Sequence, residues 1–219
     1  MKKLLSFILV LSFSLLALLS CGGPANGGDE IEGYYTSGGV GYFFTEDGVV
    51  VVKNGAAQST SYTKSGTTYT VDGVELNEAD LTKADFAAPT MGATEYFTYE
   101  TNGNMVTITG LTTEGKAQEV LFAPKGVTNI ATGAFEGSEL EAFVIGKTDA
   151  PLNLSNGAFA GTEIDLYIVA EMAPGTDLTC GNQLLDNTDD IDIKVESGAY
   201  STYKDHYTWG NFADHIEKY

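Results

Sequence analysis

Two histidines, two cysteines and a run of carboxylates are the places where this sequence could do chemistry. His206 and His215 stand nine residues apart, a separation that fits no zinc-ligand spacing, and no cysteine pair accompanies them. Cys180 with either histidine would make a thiol–imidazole dyad. It sits in a degenerate repeat with no helix start or base beside it, and reads as a buried, inert thiol. The stretch from Asp186 to Asp192, DNTDDID, brings several oxygen-bearing side chains together as calcium would require. It lacks the turn glycine and closing glutamate of an EF-hand, and Asp192 alternates with Ile191 and Ile193 as on a strand, so a solvated acidic loop is expected. Phosphate-cradling glycine motifs, nucleophile elbows and paired catalytic carboxylates are not seen. With 30 acidic residues, some carboxylates will meet by chance. The chain reads as a non-enzyme with no cofactor and no metal site.

Cys21 has a different chemistry. MKKLLSFILVLSFSLLALLSC places two lysines ahead of an apolar run from Leu4 to Leu19, then Ser20-Cys21. A basic end, an apolar stretch and a small residue before the break make a secretory signal. The run of 16 residues is short of the roughly 20 that span a bilayer. Leu18-Leu19-Ser20-Cys21 resembles the lipobox of bacterial lipoproteins, which implies acylation of Cys21 and attachment to the membrane through lipid. An ordinary signal or an uncleaved anchor is the alternative. GGPANGGDE then offers nothing to bury and reads as a flexible tether.

The formal charge of −19 becomes −21 once Lys2 and Lys3 are removed, and every cation apart from histidine is a lysine. Such a chain has no electrostatic affinity for nucleic acid or for anionic lipid. With Cys21 lipidated, Cys180 has no partner, so a conventional core must hold the fold.

From Glu32 to about Gly115, turn signals recur at short intervals: Asp47-Gly48, Asn54-Gly55, Ser65-Gly66, Asp72-Gly73 and Asn102-Gly103. Asn-Gly and Asp-Gly supply the positive φ of tight hairpins. Between them run VGYFFTE, VVVVK, STSYTK, TTYTV, EYFTYET and NMVTITG, rich in β-branched and aromatic residues. They predict an antiparallel meander of about six or seven strands, a sandwich or small barrel, with a helical turn within Asn77–Phe86. The succession GYYTS, YFFTEDGVVVV, YTKSGTTYTVDG resembles the lipocalin-like β domains of some bacterial lipoproteins. Tyr34, Tyr35, Tyr42, Phe43 and Phe44 either line a ligand cup or fill a core.

Beyond Glu119 the chain repeats itself. GAFEGSELEAFVIG (Gly133 to Gly146) and GAFAGTEIDLYIVA (Gly157 to Ala170) superpose at an offset of 24. Phe135 falls on Phe159, Leu140 on Ile164 and Phe143-Val144-Ile145 on Tyr167-Ile168-Val169. Glu119-Val120-Leu121 precedes by the same interval, while Leu178 and Gly181 follow Leu154 and Gly157. A period in the twenties predicts a stacked solenoid in which neighbouring units bury each other's apolar residues. Ile130-x-x-Gly-Ala-Phe-x-Gly-x-x-Leu140 and its copy resemble the BspA-type leucine-rich repeats of bacterial surface proteins. The tail from Val195 through Tyr203-Lys204 to Trp209 and Asp214-x-Ile216 is similar to the closing segment of that family. Departures are Glu196 where proline is common, and Ser138 and Thr162 where cysteine is. Ser197 is expected to cap a short helix, and Trp209, Phe212 and Ile216 to cover the last repeat.

The expected organisation is therefore a lipoprotein signal (1–20), a tether (21–31), an antiparallel β domain (32–115) and a leucine-rich repeat array with a helical C-terminal cap (116–219), mainly β throughout. The resemblance implies a surface-exposed, lipid-anchored envelope protein with an adhesion or protein-interaction role, its partner a host matrix or cell-surface protein. The strand face of the array is the expected working surface, at charged positions where the copies differ or near them: Glu141, Lys147, Asp165, Glu171 and Lys194. The alternative is a small-molecule carrier or sensor built on the N-terminal β domain.

Overall fold

A computed structural model describes residues 31–90, 95–184 and 191–219. Cys21 with the signal and nearly all of the tether, and residues 185–190 of the acidic stretch, lie outside the described residues.

The chain is mainly β, with antiparallel meander sheets. Strands β1 (Gly33–Ser37), β2 (Val40–Phe44), β3 (Val49–Lys53) and β4 (Ala56–Thr60) follow one another in a meander. Next come β5 (Tyr62–Ser65), β6 (Thr68–Val71) and β7 (Val74–Asn77), a separate three-stranded sheet. The helical turn expected within Asn77–Phe86 is a single 3-10 turn, Glu78–Asp80, in which the Ala79 amide donates to the Asn77 side chain. Strand β8 (Thr82–Lys83) then returns to pair with β1.

Two of the signalled turns have the backbone that their residues suit. Asn54 and Gly55 (φ 55° and 79°), like Asp72 and Gly73 (φ 49° and 77°), occupy the left-handed region at both central positions, where a non-glycine side chain is usually strained and Asn or Asp is tolerated. Asp47-Gly48 differs. Neither residue has positive φ; instead the Thr45 hydroxyl accepts from the Asp47 and Gly48 amides. Glycine is needed at 48 for closeness, since a Cβ there would sit 2.9 Å from Val120 Cγ1.

Strand β2 is buried on both faces. Phe43 meets Phe86, Tyr167 and Tyr219 on one side, while Tyr42 and Phe44 turn to Tyr62 and Tyr69 on the other. The N-terminal aromatics thus pack against other rings in two clusters.

The second half alternates between two ladders. Strands β9 (Phe97–Asn102) and β10 (Met105–Leu111) form an antiparallel hairpin, followed by α1 (Thr113–Lys116), capped by the Thr112 hydroxyl. Then come β11 (Val120–Phe122), β12 (Asn129–Ile130), β13 (Ala142–Ile145), β14 (Leu152–Leu154), β15 (Asp165–Ile168), β16 (Leu178–Cys180) and β17 (Ile193–Val195). The chain ends with α2 (Tyr200–Lys204), a 3-10 turn at Trp209–Phe212 and β18 (Ile216–Lys218). Parallel pairing links β10, β12, β14 and β16 in one sheet, and β11, β13, β15, β17 and β18 in another. Position 115, the expected edge of the first β domain, falls just after β10, which pairs with β12. Phe43, Val50 and Phe86 share one core with the ladder residues.

The two Gly-Ala-Phe turns share one backbone conformation. Gly133 and Gly157 have φ near 65°, and Phe135 and Phe159 are fully buried and stacked at 5.0 Å. The Gly133 amide donates to Gly157 and the Gly157 amide to Gln183, so successive turns are bonded. The hydroxyls of Ser138 and Thr162 donate to the carbonyls of Phe135 and Phe159, tying down each turn.

The register departs from the uniform offset of 24. It holds where Ile130 faces Leu154, but Phe143 pairs with Leu166 and Val144 with Tyr167, an offset of 23. A one-residue slip moves a side chain to the opposite face. Phe143 and Leu166 therefore share one face of the sheet, and Tyr167, aligned in sequence with Phe143, points outward beneath the meander, where its hydroxyl bonds Glu32. A buried phenol needs such a partner and a phenyl ring does not. Leu178 likewise lies opposite Leu152, not Leu154, and Val120 opposite Ala142.

One difference between the copies is explained by packing. At Gly146 a Cβ would fall 2.4 Å from the buried Phe86 ring, whereas its counterpart Ala170 is exposed. Gly146→Ala is expected to cost about 1–3 kcal/mol as an overpacking change. A denaturation midpoint equivalent to less than about 0.5 kcal/mol of loss would mean that Phe86 moves freely aside.

In the tail, Ser197 does not cap α2. Its hydroxyl donates to the Tyr219 carbonyl, and the helix opens at Ala199 without a side-chain cap. Trp209 is fully buried, with its indole N–H directed at the Leu178 carbonyl at 3.3 Å, and the Tyr203 hydroxyl donates to the Met172 carbonyl.

Candidate functional site: an acidic cleft over the parallel strands

The strands place the five charged candidates in two groups. Glu141 immediately precedes β13, Asp165 opens β15 and Lys194 lies in β17, so these three gather at the same end of the second ladder. Lys147 and Glu171 sit past the opposite ends of β13 and β15. There the Lys147 ammonium donates to the Glu171 carbonyl at 2.9 Å and pairs with Asp177 at 3.3 Å. One Glu171 carboxylate oxygen is buried without a donor. Burial raises its pKa, and the nearby Asp85 and Glu196 add to the effect.

Lys194, expected on an open strand face, is 7% exposed, because the meander covers that face. Its ammonium stands 3.1 Å from Asp165, 3.8 Å from Glu32 and in contact with Glu46. It is also 3.3 Å from the Tyr167 hydroxyl, over the face of that ring. Burial lowers its pKa, opposed by Glu32 and Glu217. Tyr167 donates to Glu32 at 2.8 Å and receives the Glu46 amide, and burial drives its own pKa far above the ordinary phenol value.

One ammonium cannot neutralise three carboxylates and their neighbours. Asp165, although paired with Lys194, is raised to about 6, first by burial and then by Asp192, Asp47 and Glu217, against the Asp192 amide that bonds it. Asp47 is also raised to about 6, by burial first, then by Glu141 as a like charge and hydrogen-bond partner, then by Glu119 and Glu32. These groups open into a cleft of about 780 Å³ lined by Glu46, Asp47, Glu139, Glu141, Glu163 and Asp165, with Ser138, Thr162, Leu140 and Gly161. Two further clefts on the meander, beside Tyr34 and Gly41 (about 580 Å³) and beside Tyr42 and Val51 (about 470 Å³), carry fewer charged groups.

The cleft can hold positive charge; nucleophilic chemistry has no comparable footing. Burial pushes the Cys180 thiol up to about 12, which leaves almost no thiolate at neutral pH. His206 Nδ1 accepts from the Thr208 amide, and His215 Nδ1 lies 3.0 Å from the Ile191 carbonyl, so both rings contact main-chain groups. Among the described residues no group of three metal-ligating side chains is positioned to hold an ion.

Sequence reasoning reached Glu141, Asp165 and Lys194 but missed Glu32, Glu46, Asp47 and Tyr167. Asp47-Gly48 is readable as a turn; that this turn lies over strands more than a hundred residues later has no local signal. No family model, no curated protein and no solved structure matches the chain.

Proposed function

We propose that this chain is a lipid-anchored bacterial envelope protein whose folded part is an interaction module, with the acidic cleft as its working surface. The partner is a protein that presents a basic segment, such as a host matrix or cell-surface protein. The observation that carries the reading is the cleft: carboxylates from the meander turn and from successive strands crowd one opening, and two of them, Glu46 and Asp165, share the Lys194 ammonium. A partner's lysines or arginines would relieve that repulsion. We further read the parallel ladders and their bonded Gly-Ala-Phe turns as a short BspA-like solenoid. The segment Ala199–Ile216 is then its helical cap, a reading supported by Trp209 over Leu178.

The test is binding of the mature chain to a lysine-rich peptide and to matrix proteins, with the triple variant Glu139→Gln, Glu141→Gln, Glu163→Gln alongside. Three exposed ion pairs at a few tenths of a kcal/mol each should weaken binding by about tenfold at low salt, and more salt should weaken the native chain too. Binding should be tighter above about pH 6, where Asp47 and Asp165 are ionised, than near pH 5. Equal binding by the triple variant would place the working surface elsewhere.

Anchoring is tested separately. Cys21→Ala should move the chain from the membrane fraction to the soluble one, because the lipid is the proposed hold on the bilayer. Unchanged sedimentation with membranes would remove the lipid anchor from the proposal.

A further inference from the structure

The turn between β2 and β3 carries two neighbouring carboxylates with opposite situations. Glu46 contacts the Lys194 ammonium, and its amide donates to the Tyr167 hydroxyl. Asp47, the next residue, lines the same cleft as Glu141, which acts on it both as a like charge and as a hydrogen-bond partner. The first contact draws the turn onto the parallel strands. The second can hold only when one of the two carboxyls carries a proton, since two carboxylates offer acceptors and no donor.

The surroundings sharpen that conflict. Asp47 is faced by Glu141 from the start of β13, by Glu119 from the approach to β11, by Glu32 ahead of β1 and by Asp165 from β15. Glu139 and Glu163 line the same cleft. The neighbouring cation, Lys194, is already held by Glu32, Glu46 and Asp165. The ends of the turn are fixed, for Phe44 and Val49 are fully buried and the Tyr62 hydroxyl holds the Thr45 carbonyl at 3.0 Å. Gly48 is wedged against Val120. Motion is thereby confined to Glu46 and Asp47, whose amides rest on two hydroxyls, those of Tyr167 and Thr45.

We propose that the Thr45–Gly48 turn is a proton-operated latch on the parallel strands, closed when Asp47 and Glu141 share a proton and loosened when both are ionised. It sits on the rim of the acidic cleft but needs no partner to operate. Burial and the facing carboxylates hold the proton on the closed form to about pH 6, so the closed form dominates in mildly acid solution. At neutral pH the turn lifts, which enlarges the cleft and brings the half-buried Asp47 carboxylate out to solvent beside the exposed Glu141.

Amide hydrogen exchange on the full chain, without any partner, tests this directly. The amides of Glu46 and Asp47 should lose protection by at least about tenfold between about pH 5 and about pH 7.5, after correction for the intrinsic rate. The core amides of Val50 and Phe43 should not follow. Asp47→Asn keeps the shape and supplies a permanent donor, so its turn should stay protected at both pH values; Glu141→Gln should do the same if the first variant does not fold. Equal native protection at both pH values overturns the latch. So does a change shared by the core amides, which would be global loosening, or a pH dependence that survives in Asp47→Asn. A latch that works while basic peptides fail to bind leaves the interaction reading wrong and this one intact.

Discussion

Phe135→Ala is expected to cost about 3–5 kcal/mol, enough to unfold a marginally stable domain at 37 °C. The ring is fully buried, stacked on Phe159 at 5.0 Å and tilted against Phe143 at 4.8 Å. Phe143 also reaches Phe97 on β9, so these rings take part in the core that joins the two sheets. An alanine would leave a cavity among groups that also bond the turn backbones, and these cannot collapse into it without breaking the Gly133–Gly157–Gln183 chain of amides. Phe159→Ala should behave alike. The double variant should lose less than the sum, because each single change already removes the shared stack. Denaturant midpoints read all three; a loss below about 1 kcal/mol for Phe135→Ala would show that the turn aromatic does not join the sheets.

Lys194→Met should destabilise the fold by about 2–4 kcal/mol at neutral pH. Removing one partner of a buried ion pair strands the others, although Glu46 is half in solvent and can swing away, which limits the cost. Glu32, Glu46 and Asp165 would then face each other without a cation. The sign of the pH effect follows from the direction of the shifts. In the native chain Asp47 and Asp165 titrate near 6, above their unfolded value of 3.8. The stability they contribute is therefore full below about pH 4 and lost as pH rises through about 6. Without Lys194 the Asp165 shift grows, so the variant's deficit should shrink as pH is lowered from about 7.5 to about 5. Urea denaturation at the two pH values measures it. A deficit equal at both would mean that the ammonium does not hold the carboxylates together.

The sequence was most legible where structure depends on near neighbours. Asn54-Gly55 and Asp72-Gly73 need positive φ, and their residue types say so. Phe135 and Phe159 repeat with their glycines because the same turn is made twice. Register was not legible, because a spacing of 24 counts the residues between turns, whereas the face a strand residue takes depends on what lies across from it. Tyr167 turns outward to reach Glu32, 135 positions earlier in the chain. Lys194 misled for the same reason. Ile193-Lys194-Val195 alternates like a strand with one wet face, and the meander that covers this face is invisible from β17 alone. Of the candidate site, the charged positions at the strand starts could be found; the turn that overlies them could not.

The bond between Glu32 and Tyr167 also sets an order of events during synthesis. Phe43 packs on Tyr167, and Val50 belongs to the same continuous core as β13 and β15. When the meander leaves the ribosome, the surface it must cover does not yet exist. It has to wait, with its aromatic face uncovered, for more than a hundred further residues. Contacts of such long sequence separation slow folding and leave the early segment open to aggregation. Such a chain cannot complete its fold from the N-terminus forward; the meander gains its final packing only after the parallel strands have emerged.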